Sequence, residues 1–245
     1  MEQEQSSSGE VAVVFGGASG IGAAVVEALT SAGYAVHVAD LTTSPTVDVT
    51  DEASVSGFLE DVVGREGRLD LVVNSAGSST LGLVTELDVA EFRRVVDVCL
   101  TGAFLVLKHA GRLVGDGGAI VSLASLNARQ PGAGLAPYCA AKAGLAMLTE
   151  VAALELAVRR VRVNAVSPGL VPTPLTVPAL EIPGIEDDYV ANTPLGRAGT
   201  PAEVAEAVLF LARAQWVTGE VLDINGGAHL LRYPDIHGHV MRAFG

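Results

Sequence analysis

The chain has 245 residues, of which 49% are hydrophobic and 4% aromatic, and its formal net charge is -13. That apolar share supplies one sizeable core built mainly from Val, Ala and Leu, while 28 glycines scattered without period exclude a collagen-like fibre. The acidic balance repels phosphate backbones and argues against a nucleic-acid partner, and no apolar run approaches membrane-spanning length.

Met1 to Gly9 is polar and acidic and lacks the basic and apolar regions of a signal peptide. It predicts a short disordered leader (1–9) on a cytoplasmic protein, with residues 10–245 forming a single domain. Val11 to Phe15 reads as a buried strand. It runs into Phe15-Gly16-Gly17-Ala18-Ser19-Gly20-Ile21-Gly22, which opens a helix predicted from Ile21 to Ala32. Gly16 suits a tight turn, and at Gly20 and Gly22 no Cβ blocks the approach of backbone or ligand. The amides from Ser19 through Ile21 then present a helix N-terminus to a pyrophosphate; helix–strand packing alone is the other use of such glycines. Tyr34 to Ala39 is a second strand, with His37 read as a packed core histidine. Asp40 ends it, where a carboxylate accepts hydrogen bonds from the ribose hydroxyls of an adenosine and repels a 2′-phosphate. Ser19 and Leu41 bring no cation, so the expected cofactor is NAD(H) rather than NADP(H). Asp48 and Val49 stand either at the adenine edge or in the N-cap region of an amphipathic helix from Asp51 to Arg65.

Leu69 to Asn74 is a third strand, and a long helix is predicted from about Asp88 to Leu113. Ala119 to Leu123 is a strand, with Ser125 just beyond it. A second long helix, Pro137 to Arg159, carries Tyr138 and Lys142 four positions apart on one face. An ammonium beside a phenol favours its ionised form, and with Ser125 the set can hold a carbonyl and hand it a proton. Val161 to Ser167 and Glu220 to Ile224 are strands, separated by a helix near Pro201 to Ala212. The proline-rich stretch of about residues 171–200 is too long and apolar for a plain connector; it reads as a lid or substrate loop, with a domain linker as the alternative. The tail from Leu230 to Gly245 is expected at a subunit boundary. His229, His237 and His239 read as solvent or subunit contacts, a metal pair being the alternative, and no metal is expected. Cys99 and Cys139 read as free thiols of a reducing compartment. Strand–helix alternation with continuous apolar strands means an α/β fold: a doubly wound, Rossmann-type parallel sheet of about seven strands, covered on both faces, with ligands beyond the carboxyl ends of its strands.

From Val11 to Gly227 these motifs together resemble the short-chain dehydrogenase/reductase family. The glycine segment is similar to that family's Thr-Gly-x-x-x-Gly-x-Gly, with Phe15 in place of threonine. Asn74-Ser75-Ala76-Gly77 resembles its Asn-Asn-Ala-Gly, and Ser125, Tyr138 and Lys142 match its catalytic serine, tyrosine and lysine. Ser167-Pro168-Gly169-Leu170-Val171-Pro172-Thr173 resembles its Pro-Gly segment, where Val171 and Thr173 would hold the nicotinamide carboxamide, and Asn225-Gly226-Gly227 its closing turn. Cys99 stands where the family often has an asparagine in a proton path to the lysine.

The resemblance implies an NAD(H)-dependent oxidoreductase that interconverts a secondary alcohol and a ketone. Tyr138 would be the acid/base, Lys142 would assist it and bind the nicotinamide ribose, and Ser125 would donate to the substrate oxygen. Asn74, Ala76, Gly77, Pro168 and Gly169 join the implied cofactor site, and a homotetramer is implied. Ser78, Leu126, Leu135 and the loop from Leu175 to Val190 are candidate substrate-pocket positions, and their apolar character suits a hydrophobic small molecule. The alternatives are a 3-oxoacyl thioester reductase, a cyclic diol dehydrogenase, and a catalytically silent NAD-sensing or scaffold protein.

Overall fold

In the computed structural model, which describes residues 9–244, six segments pair as one parallel sheet. The strands are β1 (Val11–Phe15), β2 (Ala35–Ala39), β3 (Leu71–Asn74), β4 (Ala119–Leu123), β5 (Arg162–Pro168) and β6 (Val221–Ile224). Their order is β2-β1-β3-β4-β5-β6, and every neighbouring pair is parallel. After β2 the chain crosses back over β1 to β3, so the connections part at the carboxyl ends of β1 and β3 and leave a crevice there. Residues 1–8 of the expected leader lie outside the described residues.

The helices are α1 (Gly20–Ser31), α2 (Glu52–Glu66), α3 (Val89–Val96), α4 (Gly102–Leu113), α5 (Ala136–Leu156), α6 (Val177–Leu180), α7 (Ile185–Ala191), α8 (Pro201–Arg213) and α9 (Ile236–Phe244). The strand period of two divides the core. Val11, Val13 and Phe15 pack with Phe58 and Leu59 of α2 and Val106 of α4, while Ala12 and Val14 pack with Val25 and Leu29 of α1 and Val208 and Leu211 of α8. This is the doubly wound, Rossmann-type arrangement. The element boundaries fall within three residues of those read from the sequence, the largest gap being at α5, whose last turn, Ala157–Arg159, is a 3-10 turn.

Several expectations need correction. The sheet has six strands among the described residues rather than about seven, and they are the six segments named from the sequence; after β6 the chain turns at Gly226 and Gly227, at φ 63 and 84, and continues into α9. The long helix is not continuous α-helix: α3 and α4 join through a π-helical turn, Asp97–Thr101, where the Gly102 N–H reaches back to the Asp97 carbonyl. His37 is half-buried on the edge strand β2, and its Nε2 lies 3.0 Å from Glu66 Oε1. Phe15, standing where a hydroxyl is usual, is fully buried, with its ring edge-on to Phe58 at 6.3 Å.

The tail folds onto its own chain. Ile236 of α9 packs with Leu135 and Ile185. Asp188 of α7 fastens this contact: it accepts from Arg232 Nη2 at 2.6 Å and from the Asp235 N–H at 2.9 Å, and His239 Nε2 lies 3.3 Å away. Burial pushes the Asp188 carboxyl up, but the Asp235 amide and the Arg232 guanidinium outweigh that and hold it below its ordinary 3.8.

A depressed folded-state value means that the stabilisation is complete above the ordinary carboxyl range and is lost as pH falls through the folded value. Asp188→Asn is expected to cost roughly 2 kcal/mol at pH 7 and to speed amide exchange across residues 231–244. In urea titrations the gap from wild type should close as pH is taken from above 3.8 to below it; an unchanged gap would show that the carboxylate charge is not the fastener.

Candidate active site

Three connected cavities line the carboxyl edge of the sheet. The first, about 310 Å³, lies at the ends of β1, β2 and β3. Gly16, Ser19, Gly20, Ile21, Asp40, Asp48, Val49, Ala76, Gly77 and Thr173, all candidate cofactor residues, border it. Gly16 has φ +70, and a Cβ there would lie 2.7 Å from the Ala76 amide nitrogen, so only glycine lets the first turn approach the end of β3 this closely. The Ser19 side chain makes no cap bond, and the first amides of α1 therefore remain available as anion donors.

Two expected cofactor residues stand behind this wall rather than in it. Gly22 is buried, and a Cβ on it would collide with the Gly16 carbonyl, so its task is helix–turn packing. Asn74 is buried and accepts from the Ala76 N–H at 3.2 Å, which shapes the turn behind the cavity. The two readings of Asp48 and Val49 also separate: the cap of α2 is Asp51, which accepts from the Ala53 N–H at 3.0 Å, leaving Asp48 and Val49 in the wall.

Asp40 is fixed by its neighbours. Its Oδ2 accepts from the Ala18 N–H at 3.2 Å, and its Oδ1 from the Thr42 N–H at 3.0 Å and hydroxyl at 2.9 Å. Burial raises its carboxyl, but these donors prevail and hold it below the ordinary range, so it is an anion at neutral pH. The cavity wall contains the carboxylates of Asp40 and Asp48 and no Lys, Arg or His among the described residues.

The second cavity, about 110 Å³, joins the first to the third. Ser125, Tyr138 and Lys142 meet here, with Pro168, Gly169, Val171 and Thr173. Tyr138 and Lys142 share a face of α5, and the Lys142 Nζ stands 5.6 Å from the Tyr138 ring centre. Lys142 is almost fully buried, and its ammonium donates to the Leu123 carbonyl at 2.5 Å, where β4 ends. Ser125 Oγ accepts from the Asn127 N–H at 3.1 Å, which leaves its own O–H free to donate.

The third cavity, about 320 Å³, shares Ser125 and Tyr138 with the second and is walled by the segment 171–200 and the tail. Leu126, Leu135, Leu175, Leu180 and Ile182, all among the candidate pocket positions, border it. Ser78 does not: its Oγ accepts from Arg94 Nη1 at 2.9 Å, and Ser79, Thr80 and Leu81 take its place in the wall. Cys99, in the π turn, exchanges hydrogen bonds with the Ser78 backbone, donating to its carbonyl at 3.1 Å and accepting from its N–H at 3.3 Å. Its thiol therefore ties down the loop after β3. Asp97 faces solvent. Tyr189, inside the candidate loop from Leu175 to Val190, also borders the third cavity; the sequence reading missed Tyr233, Ile236 and Val240, which complete the far wall. A usable signal was scarcity: the chain has only 4 tyrosines, and three of them, Tyr138, Tyr189 and Tyr233, border this one cavity.

Comparison with known proteins gives a consistent result. A family model described as enoyl-(acyl carrier protein) reductase matches residues 16–229. The cis-4-hydroxycyclohexanecarboxylate dehydrogenase of Sinomonas cyclohexanicum is 39% identical over 241 residues, covering 89% of this chain and 95% of the relative. A short-chain type dehydrogenase/reductase from Mycobacterium ulcerans superposes with a TM-score of 0.92 at 32% identity, over 96% of this chain and 95% of that one. A small-chain dehydrogenase solved in complex with NADPH superposes with a TM-score of 0.83 at 33% identity, over 91% of this chain and 99% of that one.

Proposed function

Because the chain belongs to the short-chain dehydrogenase/reductase family of nicotinamide-dependent oxidoreductases, we propose that it interconverts a small hydrophobic secondary alcohol and its ketone with NAD(H), using Tyr138 as acid and base. One observation carries this reading: Ser125, Tyr138 and Lys142 converge on the cavity that connects the Asp40 crevice to the apolar pocket.

The crevice suits a dinucleotide. The free amides at the start of α1 would hold the pyrophosphate, Asp40 the adenosine ribose, Asp48 and Val49 the adenine side, and Val171 and Thr173 the carboxamide. Asn74 and Gly22 support that wall from behind. The nicotinamide accepts or supplies the hydride at the substrate carbon. Ser125 donates its free O–H to the substrate oxygen and holds it where negative charge develops. Tyr138 gives that oxygen its proton in reduction and takes it back in oxidation. Lys142 stands beside Tyr138 on the same face of α5, and its remaining donors would hold the nicotinamide ribose.

Asp40, with no cation around it, supports NAD(H) over NADP(H), whereas the NADPH-bound neighbour shows that this fold admits the phosphorylated form in another sequence. The uncharged pocket favours an alicyclic or aliphatic substrate over an acyl thioester delivered by an acidic carrier. A silent NAD sensor would have no need of a free Ser125 hydroxyl beside Tyr138. Unbridged Cys99 and Cys139 support a reducing, cytoplasmic setting, and no helix among the described residues is long and apolar enough to cross a membrane. Residues 10–245 are read as one catalytic domain. Exposed Phe104 on α4 and Met147, Val151 and Leu154 on α5 support a homotetramer built through those helices.

A screen of secondary alcohols and ketones with NAD(H) and NADP(H) side by side tests the reading, and it fails if none is turned over. Tyr138→Phe is expected to lower kcat by about 10²–10⁴-fold while the Kd for the dinucleotide stays within about twofold. Asp40→Ala should weaken NAD(H) about tenfold, the worth of one good hydrogen bond, and shrink the preference over NADP(H) by at least as much. An unaltered preference would place cofactor choice elsewhere.

A further inference from the structure

The apolar pocket contains a polar feature that chemistry at Ser125, Tyr138 and Lys142 does not use. Tyr189 of α7 and Tyr233 of the tail both border it, and their hydroxyls stand 2.6 Å apart. The rings meet edge-on, 5.7 Å between centres and 83° between planes. A hydrogen bond between two phenols consumes one O–H, so the pair keeps one O–H to donate as well as lone pairs to accept. Burial keeps both phenols neutral: it raises Tyr189 far above the ordinary range and pushes Tyr233 up to about 12.

The pair is held in place by its surroundings. The residues next to each tyrosine, Asp188 and Arg232, form the ion pair at 2.6 Å that fastens the tail to α7. Gly132 leaves room for the ring of Tyr233, since a Cβ there would stand 2.8 Å from its Cε1. The rest of the far wall is Leu180, Ile182, Ile236 and Val240, and no Lys, Arg, His, Asp or Glu among the described residues borders the pocket. A carboxylate pressed into this wall would lose its water without gaining a counter-charge. An uncharged oxygen would be met by a donor and an acceptor already in position.

We propose that the Tyr189–Tyr233 hydroxyl pair is a specificity-determining anchor for a second, uncharged oxygen of the substrate. The substrate class is then a neutral, compact bifunctional molecule: a diol, a hydroxyketone or a diketone on an apolar frame. One oxygen reacts at Tyr138 and Ser125, and the other is held by the pair. This rests on reading the pocket as the substrate site of the oxidoreductase proposed above.

Binding to the abortive complex tests the anchor without turnover. The wild-type chain, Tyr189→Phe, Tyr233→Phe and the double variant Tyr189→Phe/Tyr233→Phe are each saturated with whichever of NADH or NADPH binds more tightly. They are then titrated calorimetrically with cyclohexane-1,4-diol, cyclohexanol and 4-hydroxycyclohexanecarboxylate. An alcohol cannot be oxidised by a reduced nicotinamide, so the heats report binding alone. Wild type should bind the diol about tenfold more tightly than cyclohexanol, with the carboxylate weakest. The double variant, which keeps both rings and their packing, should bring diol and cyclohexanol within about twofold of each other and leave the Kd for cyclohexanol unchanged; each single variant, which retains one phenol O–H, should keep part of the preference. Equal affinities in wild type, a full diol preference in the double variant, or tightest binding of the carboxylate would overturn the anchor. Loss of turnover in the activity screen with the diol preference intact would instead defeat the proposed reaction and leave the anchor standing.

Discussion

A buried ammonium organises this molecule. Lys142 is nearly out of contact with water, and its charge is met by the carbonyl of Leu123 at the last residue of β4. Burying a cation is costly unless polar groups surround it, so the contact constrains everything nearby. It fixes the turn of α5 that carries Tyr138 against the end of the sheet, two residues before Ser125. An ammonium has three donors, and the carbonyl takes one. Lys142 borders the same cavity as Ser125 and Tyr138. The contact that sets the register of α5 thus also places a cation in that cavity, and the packing of α5 and the charge of the cavity cannot be altered separately at this position.

The sheet explains why these groups share one edge. Every strand runs in the same direction, so every strand ends on the same side, and each turn there delivers a functional segment: Gly16 after β1, Asp40 after β2, Ala76 after β3, Ser125 after β4 and the Pro-Gly run at the end of β5. The loop after β3 needs extra support because it has no helix of its own near the crevice. Arg94 grips Ser78 and the Ser79 carbonyl, and the thiol of Cys99 brackets the Ser78 backbone. The π-helical turn brings Cys99 to that loop. An uncommon residue at an uncommon helical turn thus acts as a splint, a role that its chemistry as a thiol would not have suggested.

What could be read from the sequence follows from how local each signal is. Continuous apolar runs declared the strands, because a strand buried on both faces has no other composition open to it. The glycine cluster and the Tyr138–Lys142 spacing were legible for the same reason: each lies within one turn or one helix. Asp40 needed only its place at a strand end. The part the tail plays in the far wall, and its pairing with α7, was opaque. Tyr189 and Tyr233 are separated by 44 positions, as are Asp188 and Arg232, and no periodicity connects them. The tail shows an amphipathic pattern, but a pattern does not say whether the apolar side meets another subunit or its own chain. His37 and Ser78 were misread because their partners, Glu66 and Arg94, come from elements whose approach depends on the completed sheet.

The pocket has two walls of different origin. One comes from strand ends and α5, which the core cannot spare. The other comes from α7 and the tail that leads into α9, joined by the Asp188–Arg232 ion pair and by packing of Ile185, Ile236 and Leu135. α7 and α9 do not pack extensively on any strand, so changes at their pocket-facing side chains leave the sheet undisturbed as long as the Asp188 fastening is kept. Divergent descendants of such a chain could reshape the pocket by redrafting two short helical stretches, and laboratory libraries confined to those side chains, with Asp188 and Arg232 held fixed, would vary the pocket with little loss of folded protein.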